Sequence, residues 1–176
     1  MVRSENTNNL KLRNMKKLSL VILLFISTML FAQEKPLNDA VLESKFVDIK
    51  GNEISFVEIL GKHKGKKVVL EIWASWCSDC VAAMEKVKEL QKKHPEVDFV
   101  FISMDKSFKA FQDGVEKHQL KGDHYFSKTP WKESEFAKNI NLDWIPRYLV
   151  LDESGKVLLF KAVKPDDEKL INILNE

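Results

Sequence analysis

The stretch that most constrains this chain is Val68-Val69-Leu70-Glu71-Ile72-Trp73-Ala74-Ser75-Trp76-Cys77-Ser78-Asp79-Cys80. Its run of Val, Leu, Ile and Trp has the composition of a strand covered on both faces, and a helical apolar spacing begins directly after it. The two cysteines therefore sit where a strand hands over to a helix. They are the only cysteines in the chain, so any thiol chemistry falls to this pair. Closing so small a ring removes little entropy from the unfolded chain, which makes a chemical role a stronger reading than a structural disulfide.

Around this stretch the pattern alternates strands and helices. Residues 46–49 and 54–57 read as a β-hairpin turned through Gly51-Asn52. Residues 58–67, basic and punctuated by glycine, read as a loop with at most one helical turn. The strand at 67–74, unbroken in its apolar character apart from Glu71, reads as central and parallel. Beyond the cysteines, Ala83, Met84, Val87 and Leu90 recur at helical spacing until Pro95 stops them.

Residues 97–104 predict another strand, and 107–120 a helix with Phe108, Phe111, Val115 and His118 on one face, weakened by Gly114. A short strand or loop at 124–126 precedes a short helix at 132–140 carrying Phe136 and Ile140. A second hairpin, 147–152 with 156–160, turns at Glu153-Ser154-Gly155. A closing helix over 165–176 carries Leu170, Ile171 and Leu174. The order predicts an α/β fold: one domain over 46–176, its central mixed β-sheet flanked by helices, with an N-terminal β-hairpin extension.

Composition bears on location and partners. The 176 residues are 44% hydrophobic, enough for one continuous core. Within residues 1–32, five basic side chains (Arg3, Lys11, Arg13, Lys16, Lys17) against Glu5 account for +4, which leaves the rest of a chain of formal charge +2 at −2. That balance argues against a nucleic-acid surface. Residues 18–32 are apolar apart from Ser19, Ser27 and Thr28 and follow Lys16-Lys17, so residues 1–32 predict a signal peptide or an N-terminal membrane anchor.

The apolar run is shorter than the ~20 residues of a membrane span, which favours cleavage before Gln33. Leu30, three residues before that cut, is larger than the residue preferred there and keeps the anchored reading open. Met15 offers an alternative start. Residues 33–45 read as a polar linker. The location that follows is periplasmic or otherwise exported, free or anchored to the inner membrane.

In such a site the thiolate attacks, and a helix N-terminus stabilises it through unpaired N–H groups and the positive end of the dipole. Cys77 is thus the candidate nucleophile, and Cys80, one turn on, the resolving thiol. Ser78 can cap the helix. Asp79 opposes a thiolate beside it, although the dipole favours a carboxylate there. Glu71 is the single acid of the strand, and a buried carboxyl with raised proton affinity suits proton transfer; a sheet-edge position, or pairing with Lys66 or Lys67, is the structural alternative.

Trp76 is read as lining a partner groove or as core filler, whereas Trp131 and Trp144 are read as packing. Lys62, Lys64, Lys66 and Lys67 read as a solvated loop. His118 and His124 lie too far from the cysteines for a zinc finger, so no metal site is expected.

Trp73 to Cys80 after an apolar strand, with Trp144-Ile145-Pro146 ahead of a later one, resembles the thioredoxin superfamily over roughly residues 40–176, and within it the exported group of the TlpA, ResA and DsbE types. The resemblance implies a thioredoxin-like fold and a cis Pro146 facing the cysteines. It also implies that Ile145 lends backbone groups to a partner peptide, and that Glu71 is the family's buried acid. It further implies a thiol–disulfide oxidoreductase with protein thiol or disulfide substrates, re-reduced by a membrane electron donor and needing no cofactor beyond the Cys77–Cys80 disulfide. With Asp79, it points to a reductase.

Ser78-Asp79 differs from the usual dipeptide between the cysteines, and Ala83 and Glu85 stand where many exported members carry glutamate and proline. The latter departure weakens a role in cytochrome c maturation. Two rival functions are a peroxiredoxin-like thiol peroxidase and a non-catalytic thioredoxin-fold binding module. The first needs a lone cysteine in a loop with Pro and Thr, and Ala74-Ser75-Trp76 supplies neither.

Overall fold

The computed structural model describes residues 37–176. The leader or anchor expected over residues 1–32 lies outside them. Part of the stretch expected to be linker is folded: Asn38 accepts from the Val41 N–H and opens a short helix, α1 (Asp39–Leu42), whose Val41 is buried. The core therefore reaches back past residue 46, because Leu37 and Val41 supply apolar surface to it.

Strands β1 (Lys45–Asp48) and β2 (Glu53–Ser55) form the expected hairpin. Asp48 Oδ1 accepts from the N–H groups of Lys50 and Asn52, and Gly51 turns the chain at φ +93°. The second strand is shorter than expected. Ser55 and Glu58 form a capping box that starts helix α2 (Phe56–Lys62). Most of the stretch read as strand end and loop is thus a helix that buries Phe56 and Ile59 and leaves Val57 exposed.

Strand β3 (Val68–Trp73) is buried at every position. Helix α3 (Ser78–Lys93) follows, burying Cys80, Met84, Val87 and Leu90 along one stripe before Pro95 prevents continuation. Next come β4 (Asp98–Ser103), helix α4 (Phe108–His118) capped by Ser107, and β5 (Asp123–Phe126). A 3-10 turn (Trp131–Glu133) leads to helix α5 (Glu135–Asn139), capped by Ser134. Strands β6 (Arg147–Leu151) and β7 (Val157–Ala162) form the second hairpin, and helix α6 (Glu168–Asn175) closes the chain behind its cap, Asp167.

The seven strands run in the order β2-β1-β5-β4-β3-β6-β7. Strand β3 is central but not purely parallel: β4 pairs with it parallel, and β6 pairs antiparallel. The crossovers β3-α3-β4 and β4-α4-β5 advance in one direction along the sheet, and right-handed connections place both helices on the same face. Gly114 of α4 lies so close to that face that a Cβ there would stand 3.0 Å from the Trp73 ring and 3.1 Å from Ser75 Cβ. The glycine that weakens the helical pattern is therefore what lets helix and strand approach. On the opposite face Phe46, Phe56 and Phe136 meet edge to face, joining β1, α2 and α5.

Candidate active site

Strand β3 ends at Trp73, and a four-residue connection delivers Cys77 to the N-cap of α3, where Sγ accepts the Cys80 N–H at 3.1 Å. Cys77 itself, not Ser78, caps the helix; Ser78 is its exposed first residue. Cys77 and Cys80 are joined in a disulfide with their Cα atoms 5.3 Å apart. Cys77 is 7% exposed and Cys80 fully buried, so Cys77 is the sulfur on the solvent side.

The Ile145–Pro146 peptide bond is cis, and the Ile145 carbonyl oxygen lies 3.5 Å from Cys77 Sγ. Two tryptophans stand out beside the pair, Trp76 at 52% and Trp144 at 57% exposure. Trp144 is thus a surface residue rather than the packing residue expected. A groove of about 350 Å³ runs from Asp79 and Ala83 on α3 past Pro146 and Trp144 to Val163. Ala83 lines this groove.

Both loops that flank the disulfide are held from behind by buried charge. Asp105, just past β4, accepts from the Ser75 N–H at 3.0 Å, from Ser75 Oγ at 2.7 Å and from Ser103 Oγ at 2.8 Å. This fixes the loop that carries Trp76 and Cys77. On the other side Arg147, 1% exposed, donates to the carbonyls of Ile140 and Asn141 at 3.4 Å and pairs with Asp143, which Lys161 also contacts. Residues 140–143 lead into Trp144-Ile145-Pro146, so the guanidinium shapes the cis-proline loop.

Glu71 is 1% exposed on interior strand β3, which removes the sheet-edge alternative. Lysine pairing fails too: Lys67 donates to the Ile173 carbonyl at 2.7 Å, whereas Glu71 Oε1 accepts from the Tyr148 hydroxyl at 3.1 Å. Burial pushes the Glu71 carboxyl up to about 8, opposed only in part by this hydrogen bond. Glu71 and Trp73 share a strand face, and Trp73 meets α4; by the crossover argument Glu71 lies in the same layer as α3 and Cys80.

The remaining candidates lie elsewhere. His118 meets Trp73 edge-on, and His124 stacks on Phe101 while its Nε2 lies 3.0 Å from the Leu120 carbonyl, so neither joins the cysteines. Lys62 is exposed on α2, 3.2 Å from the Tyr125 hydroxyl, and Lys64 and Lys66 are exposed in the loop beyond. Trp131 packs as expected, donating to the Leu142 carbonyl at 2.9 Å.

Three residues at the site escape a reading of the sequence: Asp105, Arg147 and Tyr148. Only Arg147 leaves a trace there, as a charge opening an apolar strand directly after proline. The other two depend on pairings between distant strands and loops.

The arrangement is that of a thiol–disulfide exchange site on an α/β scaffold, and known proteins lead to the same class. A thioredoxin-like family model matches residues 65–157. The thiol-disulfide oxidoreductase ResA of Bacillus cereus is 27% identical over 132 residues, 73% of this chain and 72% of that protein. The ResA of Bacillus thuringiensis is 28% identical over 113 residues, and there the chain spans 61% of the relative's length. The solution structure of a Bacteroides vulgatus protein described as a thiol-disulfide oxidoreductase superposes with a TM-score of 0.65 at 30% identity, covering 81% of this chain and 91% of that one. The chain belongs to the thioredoxin-like family and is a thiol–disulfide oxidoreductase.

Proposed function

We propose that this protein is an exported oxidoreductase that reduces disulfides in protein partners through Cys77 and Cys80. The observation that carries the reading is the setting of Cys77 Sγ, at a helix N-cap, accepting the Cys80 N–H and lying 3.5 Å from the Ile145 carbonyl. In the reduced protein that N–H and the positive end of α3 stabilise a Cys77 thiolate, which attacks the partner. Cys80, buried one turn on, resolves the mixed disulfide from within.

A buried thiol has no water to take its proton, and Glu71, in the same layer with a carboxyl held up to about 8, serves as acceptor. Trp76 and the backbone of Ile145 and Pro146 receive the partner chain. The pair itself is the redox group, with no further cofactor. Asp79, exposed in the first turn of α3, disfavours the thiolate and supports the reducing direction. The basic and apolar pattern of residues 1–32 supports export, with or without retention as an anchor, and a membrane electron donor returns the pair to the dithiol.

The test is a trapping experiment with a measurement of potential. Cys77→Ser is expected to abolish reduction of a protein disulfide, and Cys80→Ser to accumulate a mixed disulfide with the partner visible by mass. The reduction potential of the pair is expected to lie below the poise of its compartment. A Cys77→Ser protein working at the wild-type rate would sink the exchange reading, and a potential above that poise would reverse the direction.

A further inference from the structure

The two oxygens of the Glu71 carboxyl have unequal surroundings. Oε1 accepts from the Tyr148 hydroxyl at 3.1 Å, while Oε2 is buried without a partner. The backbone fixes this asymmetry, because Glu71 and Tyr148 are register partners in the β3–β6 ladder and present their side chains to the same layer. Across the other ladder, β4 sets Phe101 opposite Glu71. From the segment ahead of α6, Asp166 bears on the Tyr148 hydroxyl and is itself paired with Lys86 of α3 at 2.6 Å. Among the described residues, burial and the Tyr148 hydroxyl are what act on the Glu71 carboxyl.

We propose that Tyr148 is a positioning residue for disulfide exchange: its hydroxyl pins Glu71 Oε1 and leaves Oε2 to take the proton of Cys80. The proposal rests on the reading of Glu71 as proton acceptor. In the mixed disulfide, Cys77 Sγ is bonded to a partner sulfur, and Cys80 is a thiol. The Cys80 proton passes to Oε2 of the ionised carboxylate, and Cys80 Sγ attacks Cys77 Sγ. The bond from Cys77 to the partner breaks, and the partner sulfur leaves with the electron pair as a thiolate that takes a proton from water. Two electrons have then moved from the cysteine pair to the partner disulfide.

Tyr148 matters to this step because a buried carboxylate is a poor proton acceptor if it never ionises. A donated hydrogen bond stabilises the charged form against burial, so the hydroxyl sets the pH above which Glu71 can serve. Tyr148→Phe keeps the ring and removes only that bond.

Two readouts on the full chain test the proposal: the titration of Glu71 followed by carboxyl NMR, with Glu71→Gln assigning the signal, and the pH profile of partner release from the mixed disulfide. In Tyr148→Phe the titration is expected to move up by about one pH unit, and release on the rising limb to slow about tenfold. Fluorotyrosine, a stronger donor, introduced in a Tyr125→Phe background, is expected to move both readouts the opposite way, and it gives the answer if the phenylalanine variant does not fold. An unmoved Glu71 titration in either protein overturns the proposal. An unmoved release profile overturns it too, and Glu71→Gln locates the fault. If Glu71→Gln keeps the wild-type profile, the acceptor reading has failed; if it loses the limb, the role of Tyr148 alone has failed.

Discussion

Burial and the Tyr148 hydroxyl act on the Glu71 carboxyl, and the consequence for stability has a definite sign. The group ionises near ~4.3 in an unfolded chain and near about 8 in the folded protein. Below the lower value both states are neutral and its contribution is intact. As pH rises only the unfolded chain gains the charge, so stability is lost progressively until the folded group ionises as well. Glu71→Gln is therefore expected to match the wild type at pH 4 and to exceed it by on the order of 4 kcal/mol near pH 8, read from denaturation midpoints across pH. Exchange is expected to slow in the same variant. Asp105 acts at the same scale: Asp105→Ala leaves the Ser75 N–H and two hydroxyls without their acceptor. We expect a loss of about 2 kcal/mol, and exchange slowed about tenfold at temperatures where the variant is fully folded, as the Cys77 loop loses its anchor. Cys77, Cys80 and Glu71 stand out as candidates because composition and spacing alone mark them. Tyr148 and Asp105 were not, since a hydroxyl or carboxylate acquires its role only when register sets it against a partner far away in the chain.

Among the elements, α4 shows how a weak local pattern is justified by packing. Gly114 costs helix propensity, yet its missing Cβ is the space into which the Trp73 ring fits. Gly114→Ala would gain about 1 kcal/mol at an exposed site; here it is expected to destabilise by about 1–2 kcal/mol net, because the buried indole and the Ser75 loop cannot retreat. Denaturant midpoints check the sign. The strands, the cysteine helix and the closing helix follow directly from apolar periodicity and from proline and glycine punctuation. Helix α2 was obscured by its lysines and glycines, although Ser55 and Glu58 announce its start at capping-box spacing. Trp144 departs from the packing expected of it for a different reason: whether an aromatic beside proline points inward depends on the loop that Arg147 shapes, and periodicity carries no information about loops.

For the molecule as a whole, the fold class was readable from the order of elements, but the extent of the core was not, because Leu37 and Val41 lie in a stretch too polar to read as structured. A chain beginning at residue 46 would lose the buried Val41 and the bond from the Phe56 N–H to the Ser44 carbonyl. It is expected to be less stable than one beginning at residue 33 by about 2 kcal/mol or more, measured by thermal or urea unfolding. Sheet order adds a last consequence. One edge strand, β2, is three residues long and runs straight into a helix; the other, β7, pairs with β6 through register shifts and carries Lys161. Neither offers the long, flat, uncharged border on which a foreign strand can grow. Both borders of the sheet, as the described residues form it, are thereby guarded against templating aggregation by strand addition.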